Sequence, residues 1–448
     1  MNTPLTNAIR QLVEQDFSRF HTPGHKGREL DLLSPVTPYD LTEVRGADSL
    51  YSPDGPITEM ERLYTGLYRT GGSFLSAGGS TLCIQAMLRL VRPLGKKVIL
   101  GRNAHSSAIS ALALLGMDPV WLYPAIGPDL LPEPITPEAV EAALSLHPDA
   151  AGVYVTSPDY FGKLTDIAGL AAVCRRHGVP LLVDNAHGAE LFFLEGGLHP
   201  MQQGADLCCD SLHKTLPVLT GGALLHVGDT PLARRHAFAA HAKEAMALFG
   251  STSPSYLILL SIDLLLPHLA DGSIAAELAA TAARVNKLAA QAADRGFLLP
   301  AGPVLPTRLA LGFSALGLTR EEFDAHLTRC QVEPEYLAGH YCVFLLSARN
   351  RGSDLARLSR LIATAPAMGA PLPVDTAFPP ARQVLSPREA LFAPRCSLPA
   401  GEALGRVSAG VISRCPPGIP LVMPGEEIDE NIRTALNNYG ISHVDVIK

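Results

Sequence analysis

Between residues 97 and 184 short apolar runs alternate with amphipathic stretches. Strands are expected over 97–101, 118–123, 151–156 and 180–184, and helices over 105–116, 137–146 and 166–177. Upstream, a helix over 57–68 and a strand over 73–76 lead to Ala77-Gly78-Gly79-Ser80-Thr81, which opens a helix running to about 91. Downstream, apolar runs at 205–209 and 221–227 flank the hexapeptide Asp210-Ser211-Leu212-His213-Lys214-Thr215. This order predicts an α/β fold: a mostly parallel sheet covered by helices on both faces. In such sheets ligands gather at the carboxyl ends of the strands.

The rest of the chain bounds the class. At 448 residues two or three domains are expected, and 47% hydrophobic with 18% charged residues describes a large buried fraction. A net charge of −7 argues against a nucleic-acid partner. The eight cysteines form no CxxC pair, so reduced thiols are expected and a zinc site is not. Residues 1–20 lack the apolar core of a signal peptide and contain a short amphipathic helix over 2–17. The run 256–266 is broken by Asp263 and followed by Pro267; it reads as a buried helix too short to span a membrane. Residence in the cytoplasm follows as the default expectation. Beyond 250, a helix over 273–296 leads to strand, helix, strand, strand, helix over 306–313, 320–330, 332–335, 341–346 and 354–364. A Pro/Ala-rich linker over 365–380 precedes helices at 387–392 and 428–439.

Polar residues fall where a parallel sheet places ligands. Lys214 sits between two apolar runs, where an ammonium is costly to bury unless its chemistry is used. A partly desolvated lysine amine loses its proton readily and forms a Schiff base with a carbonyl cofactor. Ser211 and His213 beside it are able to hold an anionic group. Gly79-Ser80-Thr81 supplies glycine, a helix start and hydroxyls, as a phosphate cradle requires; a bare helix cap explains the same residues. No GK[ST] and no GxGxxG follows. His105 is either a helix-start histidine or a ring placed to stack on an aromatic cofactor. Asp184 ends an apolar strand, as a helix cap or as the carboxylate that keeps a pyridine nitrogen protonated. Together they point to pyridoxal phosphate (PLP) on Lys214. The segment 20–27 reads as an exposed basic loop or part of a polar site, and 40–57 as extended loop too polar for the core.

Nine stretches in order carry a resemblance: FHTPGHKG at 20–27, GADSLYSPDGPI at 46–57, AGGST at 77–81, RNAHSS at 102–107, TSPDYFG at 156–162, VDNAHGAE at 183–190, DSLHKT at 210–215, STSPSY at 251–256 and PPGIPLVMPGE at 416–426. The chain resembles the Orn/Lys/Arg decarboxylase family, fold type I (aspartate-aminotransferase-type) PLP-dependent enzymes, in the short form without the N-terminal wing domain. The resemblance implies a PLP-dependent transferase-like large domain with smaller C-terminal α+β domains. Expected boundaries are an arm over 1–56, a PLP-binding domain over 57–290, a small domain over 291–370 and a C-terminal domain over 371–448.

The resemblance also implies roles. Lys214 anchors the cofactor, Asp184 pairs its pyridine nitrogen and His105 stacks on its ring. Gly79, Ser80 and Thr81 hold the phosphate with Ser211 and His213, and Ala186 and His187 lie under or beside the ring. Thr252 reaches the phosphate of a partner subunit, so a homodimer is the smallest functional unit, with the loops 20–27 and 46–57 near a site entrance. The reaction implied is α-decarboxylation of arginine, lysine or ornithine, giving CO₂ and a di- or polyamine. Lys214 or His213 returns a proton to Cα, without a metal. Another PLP reaction on the same scaffold, transamination or elimination, and a non-catalytic paralogue are the alternatives. Three departures stand out: Gly78 where many members carry Asn, Asn185 where many carry Glu, and Cys415 before PPGIP where an aromatic is common. The last leaves the substrate open, as does the placement of acids such as Glu426 or Asp48 that would bind a distal cation.

Overall fold

The computed structural model describes residues 1–15, 17–19, 22–28, 31–367, 369–372, 380–414, 419–438 and 440–448. The expectations for Phe20 and His21 and for the turn at 416–418 after Cys415 lie outside these residues. Seven strands are considered first: β1 Gly72–Ser76, β2 Lys97–Gly101, β3 Asp118–Leu122, β4 Ala150–Thr156, β5 Leu181–Asp184, β6 Leu207–Asp210 and β7 Ala223–Val227. The chain divides into two compact units, Met1–Val91 with Gly178–Ala279, and Arg92–His177 with Ala280–Lys448.

In the first unit the strand order is β1-β7-β6-β5. β5 and β6 are parallel, whereas β7 is antiparallel to both β6 and β1. The reversal has a local cause. A four-residue helix, Leu212–Thr215, and a turn join β6 to β7, and so short a connection returns the chain beside itself. Helices Pro4–Glu14, Pro56–Tyr68, Gly79–Val91 and Tyr256–Ala270 belong to this unit. Its core joins Leu5, Ile9, Tyr64, Leu75, Leu212, Leu224, Leu259 and Leu266.

Two expectations change here. The segment 40–57 is not excluded from the core: Leu41, Ala47 and Leu50 are buried in it. The Asp48 carboxylate accepts the N–H groups of Ser49, Asp54, Gly55 and Ile57. The loop thus satisfies its own backbone and turns its few apolar side chains inward. The helix from Tyr256 also continues through Pro267 to Ala270. Proline there lacks an N–H for the Asp263 carbonyl, a loss the buried apolar face outweighs. Among the described residues no single helix is long and apolar enough to cross a membrane.

In the second unit β3-β2-β4 are all parallel. Helices Ser106–Leu115, Pro137–Leu146 and Ile167–His177 fall within one or two residues of expectation. A three-stranded antiparallel sheet comes next: β8 Arg308–Gly312, β9 Tyr336–Ala338 and β10 Tyr341–Leu345, in the order β8-β10-β9. It packs with Arg320–Cys330 and Gly352–Ala363 around Phe297, Phe313, Phe323 and Leu358. The strand expected at 332–335 therefore forms later, at β9, where pairing with β10 is available. Beyond 387–392 the chain also forms β11 Arg395–Pro399, β12 Ile412–Arg414, β13 Ile419–Val422 and β14 His443–Ile447, the first paired with the last. Periodicity alone does not single out β11 and β14, because each alternates over only five residues and its partner is remote in sequence.

Candidate active site

Strand directions in the first unit bring four chain segments to one edge. Register pairs Asp184 with Cys209, Asp210 with Leu224 and Ser76 with Ala223. The carboxyl ends of β1, β5 and β6 and the amino end of β7 therefore lie together. Each carboxyl end leads into one part of the polar set: β1 into Gly79-Ser80-Thr81, β5 into Asp184 to His187, and β6 into Ser211 to Lys214.

Lys214 lies on the Leu212–Thr215 helix, half-buried, with its Nζ 2.9 Å from His187 Nε2. An ammonium has only donors, so His187 accepts. The helix is anchored by fully buried Leu212 and by Lys214 N–H donating to the Ser211 carbonyl. Asp184 is buried, and its Oδ1 accepts the Ala186 N–H at 3.1 Å and the Cys209 thiol at 3.6 Å. His213 Nδ1 lies 3.3 Å from Ser211 Oγ and accepts the Gly221 N–H at 3.3 Å.

Gly79 begins its helix at φ +68, with open space where a Cβ would stand. Its own N–H donates to the Gly221 carbonyl. The next N–H groups are those a helix start leaves unpaired. Ser80 is half-buried and Thr81 exposed. A helix start with open space at Gly79 and two hydroxyl residues following it suits a phosphate, so the residues present fit the cofactor expected here.

A buried network that sequence reasoning missed lies behind this edge. Asp210 is fully buried and accepts from Asn185 Nδ2 at 2.7 Å, His199 Nε2 at 3.0 Å and His226 Nε2 at 3.2 Å. The Met201 N–H donates to His199 Nδ1, which fixes that ring as the Nε2–H tautomer. His226 Nδ1 is likewise engaged, with Ser73 Oγ at 2.8 Å. His199, Cys208 and Asp210 approach one another closely enough for a metal ion, but this tautomer spends His199 Nε2 as a donor. Burial pushes the Asp210 carboxyl up, and His199 and His226 outweigh it, holding it well below the usual carboxylate range. Burial holds His226 below its ordinary value of 6.5.

Both shifts have the same sign for stability. An unfolded chain takes protons on these groups at a pH where the folded one does not, so folding weakens as pH falls. His226 acts first, below about 6.5, and Asp210 below its unfolded value of about 4. Urea denaturation is expected to show lower stability at pH 5 than at pH 7.5. His226→Gln, whose amide still donates, should flatten that difference; an unchanged difference in the variant would remove His226 as its source.

Not every expected residue joins this edge in the first unit. His105 belongs to the second unit and is exposed at the start of Ser106–Leu115. There its Nδ1 accepts from the Ser107 N–H and lies 2.8 Å from Ser107 Oγ. Thr252 is exposed before Tyr256–Ala270. Asp48 and Glu426 are engaged elsewhere: Asp48 with backbone amides, and Glu426, fully buried, with Arg102 at 2.5 and 2.6 Å and the Met423 N–H. Neither is left to bind a distal cation.

The strand order and the residues at this edge define a PLP-dependent transferase-like fold. Solved structures agree. The chain aligns with the constitutive lysine decarboxylase of E. coli at a TM-score of 0.78 and 17% identity, over 100% of this chain and 82% of that one. With lysine decarboxylase A from Pseudomonas aeruginosa the values are 0.80 and 18%, over 99% and 80%. A family model described as Orn/Lys/Arg decarboxylase, major domain, matches residues 3–303, and one described as Orn/Lys/Arg decarboxylase, C-terminal domain, matches 383–439. An arginine decarboxylase of Halalkalibacterium halodurans is 31% identical over 460 residues, covering 96% of this chain and 91% of that protein. One from Bacillus subtilis is 29% identical, covering 97% and 93%. The chain belongs to the Orn/Lys/Arg decarboxylase family.

Proposed function

We infer that this chain is a PLP-dependent α-decarboxylase of a basic amino acid, with arginine as the favoured substrate, releasing CO₂ and the corresponding amine. The carrying observation is Lys214 Nζ against His187 at the sheet edge that also holds Asp184 and the Gly79 helix start. Arginine is favoured because the arginine decarboxylases above align over more than nine-tenths of both chains. The constitutive lysine decarboxylase of E. coli aligns by sequence over 58% of this chain and 39% of its own.

Bound pyridoxal phosphate supplies an electrophilic carbonyl for amines and a protonated ring that takes up the electron pair left when the α-carboxylate departs as CO₂. Lys214 Nζ is the amine that anchors it. His187 Nε2 is placed to take a proton from Nζ, leaving the nucleophilic free amine. Asp184 keeps the ring nitrogen protonated, with one carboxylate oxygen fixed by Ala186 N–H. Gly79, Ser80 and Thr81 at the helix start would hold the phosphate, with Ser211 and His213 alongside. Ala186 and His187 would lie beside the ring. Lys214 Nζ or His213 returns a proton to Cα.

In this reading residues 1–56 form an arm, 57–290 the cofactor domain, and 291–370 and 371–448 the smaller domains. The enzyme is a homodimer, with Thr252 reaching the phosphate held by the other subunit. It works in the cytoplasm, its product feeding polyamine synthesis. Incubation with arginine, lysine and ornithine, with CO₂ and amine both measured, tests the reaction; a keto acid without CO₂ would point to transamination instead. Asp184→Asn is expected to cost about 10²–10³ in kcat, since a neutral amide cannot hold the ring nitrogen protonated. Steady-state kinetics at saturating substrate measure it.

A further inference from the structure

Two chain segments carry the groups of the proposed chemistry, the turn after β5 and the helix after β6. Two side-chain contacts tie them. His187 meets Lys214, and Asn185, two residues earlier, donates Nδ2 to Asp210, four residues before that lysine. The turn itself is tight: Ala186 N–H returns to Asp184, and Gly188 N–H to the Asn185 carbonyl. A displacement of Asn185 therefore carries Asp184 and His187 with it.

Asn185 is an expensive residue to keep there. It is fully buried, and its Oδ1 has no hydrogen-bond partner among the described residues. An unsatisfied buried acceptor costs about 1–3 kcal/mol. Asp210 does not need Asn185 for its own satisfaction, because His199 and His226 both donate to it. A side chain that leaves one polar atom orphaned, on a partner already served twice, makes little sense as a device for stability alone. Local cost of this kind collects where geometry serves function.

We propose that Asn185 and Asp210 are positioning residues: their hydrogen bond is a clasp that fixes the Asp184–His187 turn against the Lys214 helix, and the His199–His226 pair holds Asp210 rigid as its fixed half. The clasp sets the reach from His187 Nε2 to Lys214 Nζ and the aim of the Asp184 carboxylate. This rests on Lys214 being the cofactor lysine.

Asn185→Leu tests it in the holoenzyme. Leucine has the same number and branching of side-chain heavy atoms, cannot donate, and leaves no amide oxygen unpaired, so the variant should melt near the wild-type temperature. The clasp predicts a kcat lower by about 10- to 100-fold with little change in KM, as expected for small misplacement of reacting groups. It also predicts faster loss of the visible absorption band during dialysis against cofactor-free buffer, because the ring nitrogen is held less well. Asn185→Ser, which keeps a hydroxyl donor toward Asp210, should recover part of both. Wild-type kcat and wild-type band retention in Asn185→Leu would overturn the clasp, as would a variant in which both losses merely track a lowered melting temperature that Asn185→Ser shares. The underlying reading fails separately: borohydride reduction of the wild-type holoenzyme followed by peptide mass analysis would then mark a lysine other than Lys214, or none.

Discussion

Lys214→Ala is expected to lose the visible band of the protonated Schiff base and to lower decarboxylation by on the order of 10⁴-fold, through loss of both the anchoring amine and a proton carrier. Fold should survive. Lys214 is half-buried on a four-residue helix whose packing comes from Leu212, so shortening the side chain removes reach without opening the core. Circular dichroism and melting temperature close to wild type would show this. Absorbance of the purified variant with added cofactor is the direct measurement, and a band that persists and is reducible by borohydride would transfer the role to another amine. The Lys214–His187 contact is absent in the same variant, so any residual activity is not to be credited to His187 as base for Nζ.

Glu426→Ala is expected to be strongly destabilising, by about 3–5 kcal/mol, the usual result of stranding one charge of a buried pair. Arg102 is 1% exposed and Glu426 0%. The guanidinium makes two contacts with the carboxylate, donates to the Leu421 carbonyl, and lies 5.3 Å from the ring centres of both Trp121 and Tyr123. Removing the carboxylate leaves that cation without a counter-charge and also orphans the Met423 N–H. A melting temperature lower by about 5–10 °C is the expected reading. Replacing both partners, Arg102→Met with Glu426→Leu, should recover much of the loss, because two apolar side chains carry no unpaired charge. If the double variant melts below Glu426→Ala, the pair contributes more than it costs to desolvate.

The two variants mark how far local pattern reaches. Lys214, Asp184 and the Gly79 helix start were legible because each is a polar residue at the boundary of a periodic apolar segment, and that boundary is a property of a few neighbouring residues. Glu426 was legible as an acid and no further; its partner lies 324 positions away, and so does the reason it is unavailable to a substrate cation. Asp48 shows the same limit at shorter range. In the sequence it marks a polar loop, whereas folded, its carboxylate gathers four amides and lets Leu41 and Leu50 join the core. The paired strands β11 and β14 escaped notice because each alternates over only five residues, and its backbone hydrogen bonds are completed only by a partner remote in sequence.

By itself the amino-acid sequence determined the alternation of strands and helices, the points where polar residues interrupt it, and so the kind of chemistry a sheet edge of this sort supports. Those are consequences of periodicity and of chain ends that cannot bury charge. Only the tertiary structure decided which polar groups are spent and which are offered. It reversed β7 against β6, brought Asn185, His199 and His226 onto one carboxylate, and set His187 on Lys214. Hydrogen bonds and ion pairs are short-ranged, so their partners are chosen by distance in space, which residue spacing along a chain does not encode.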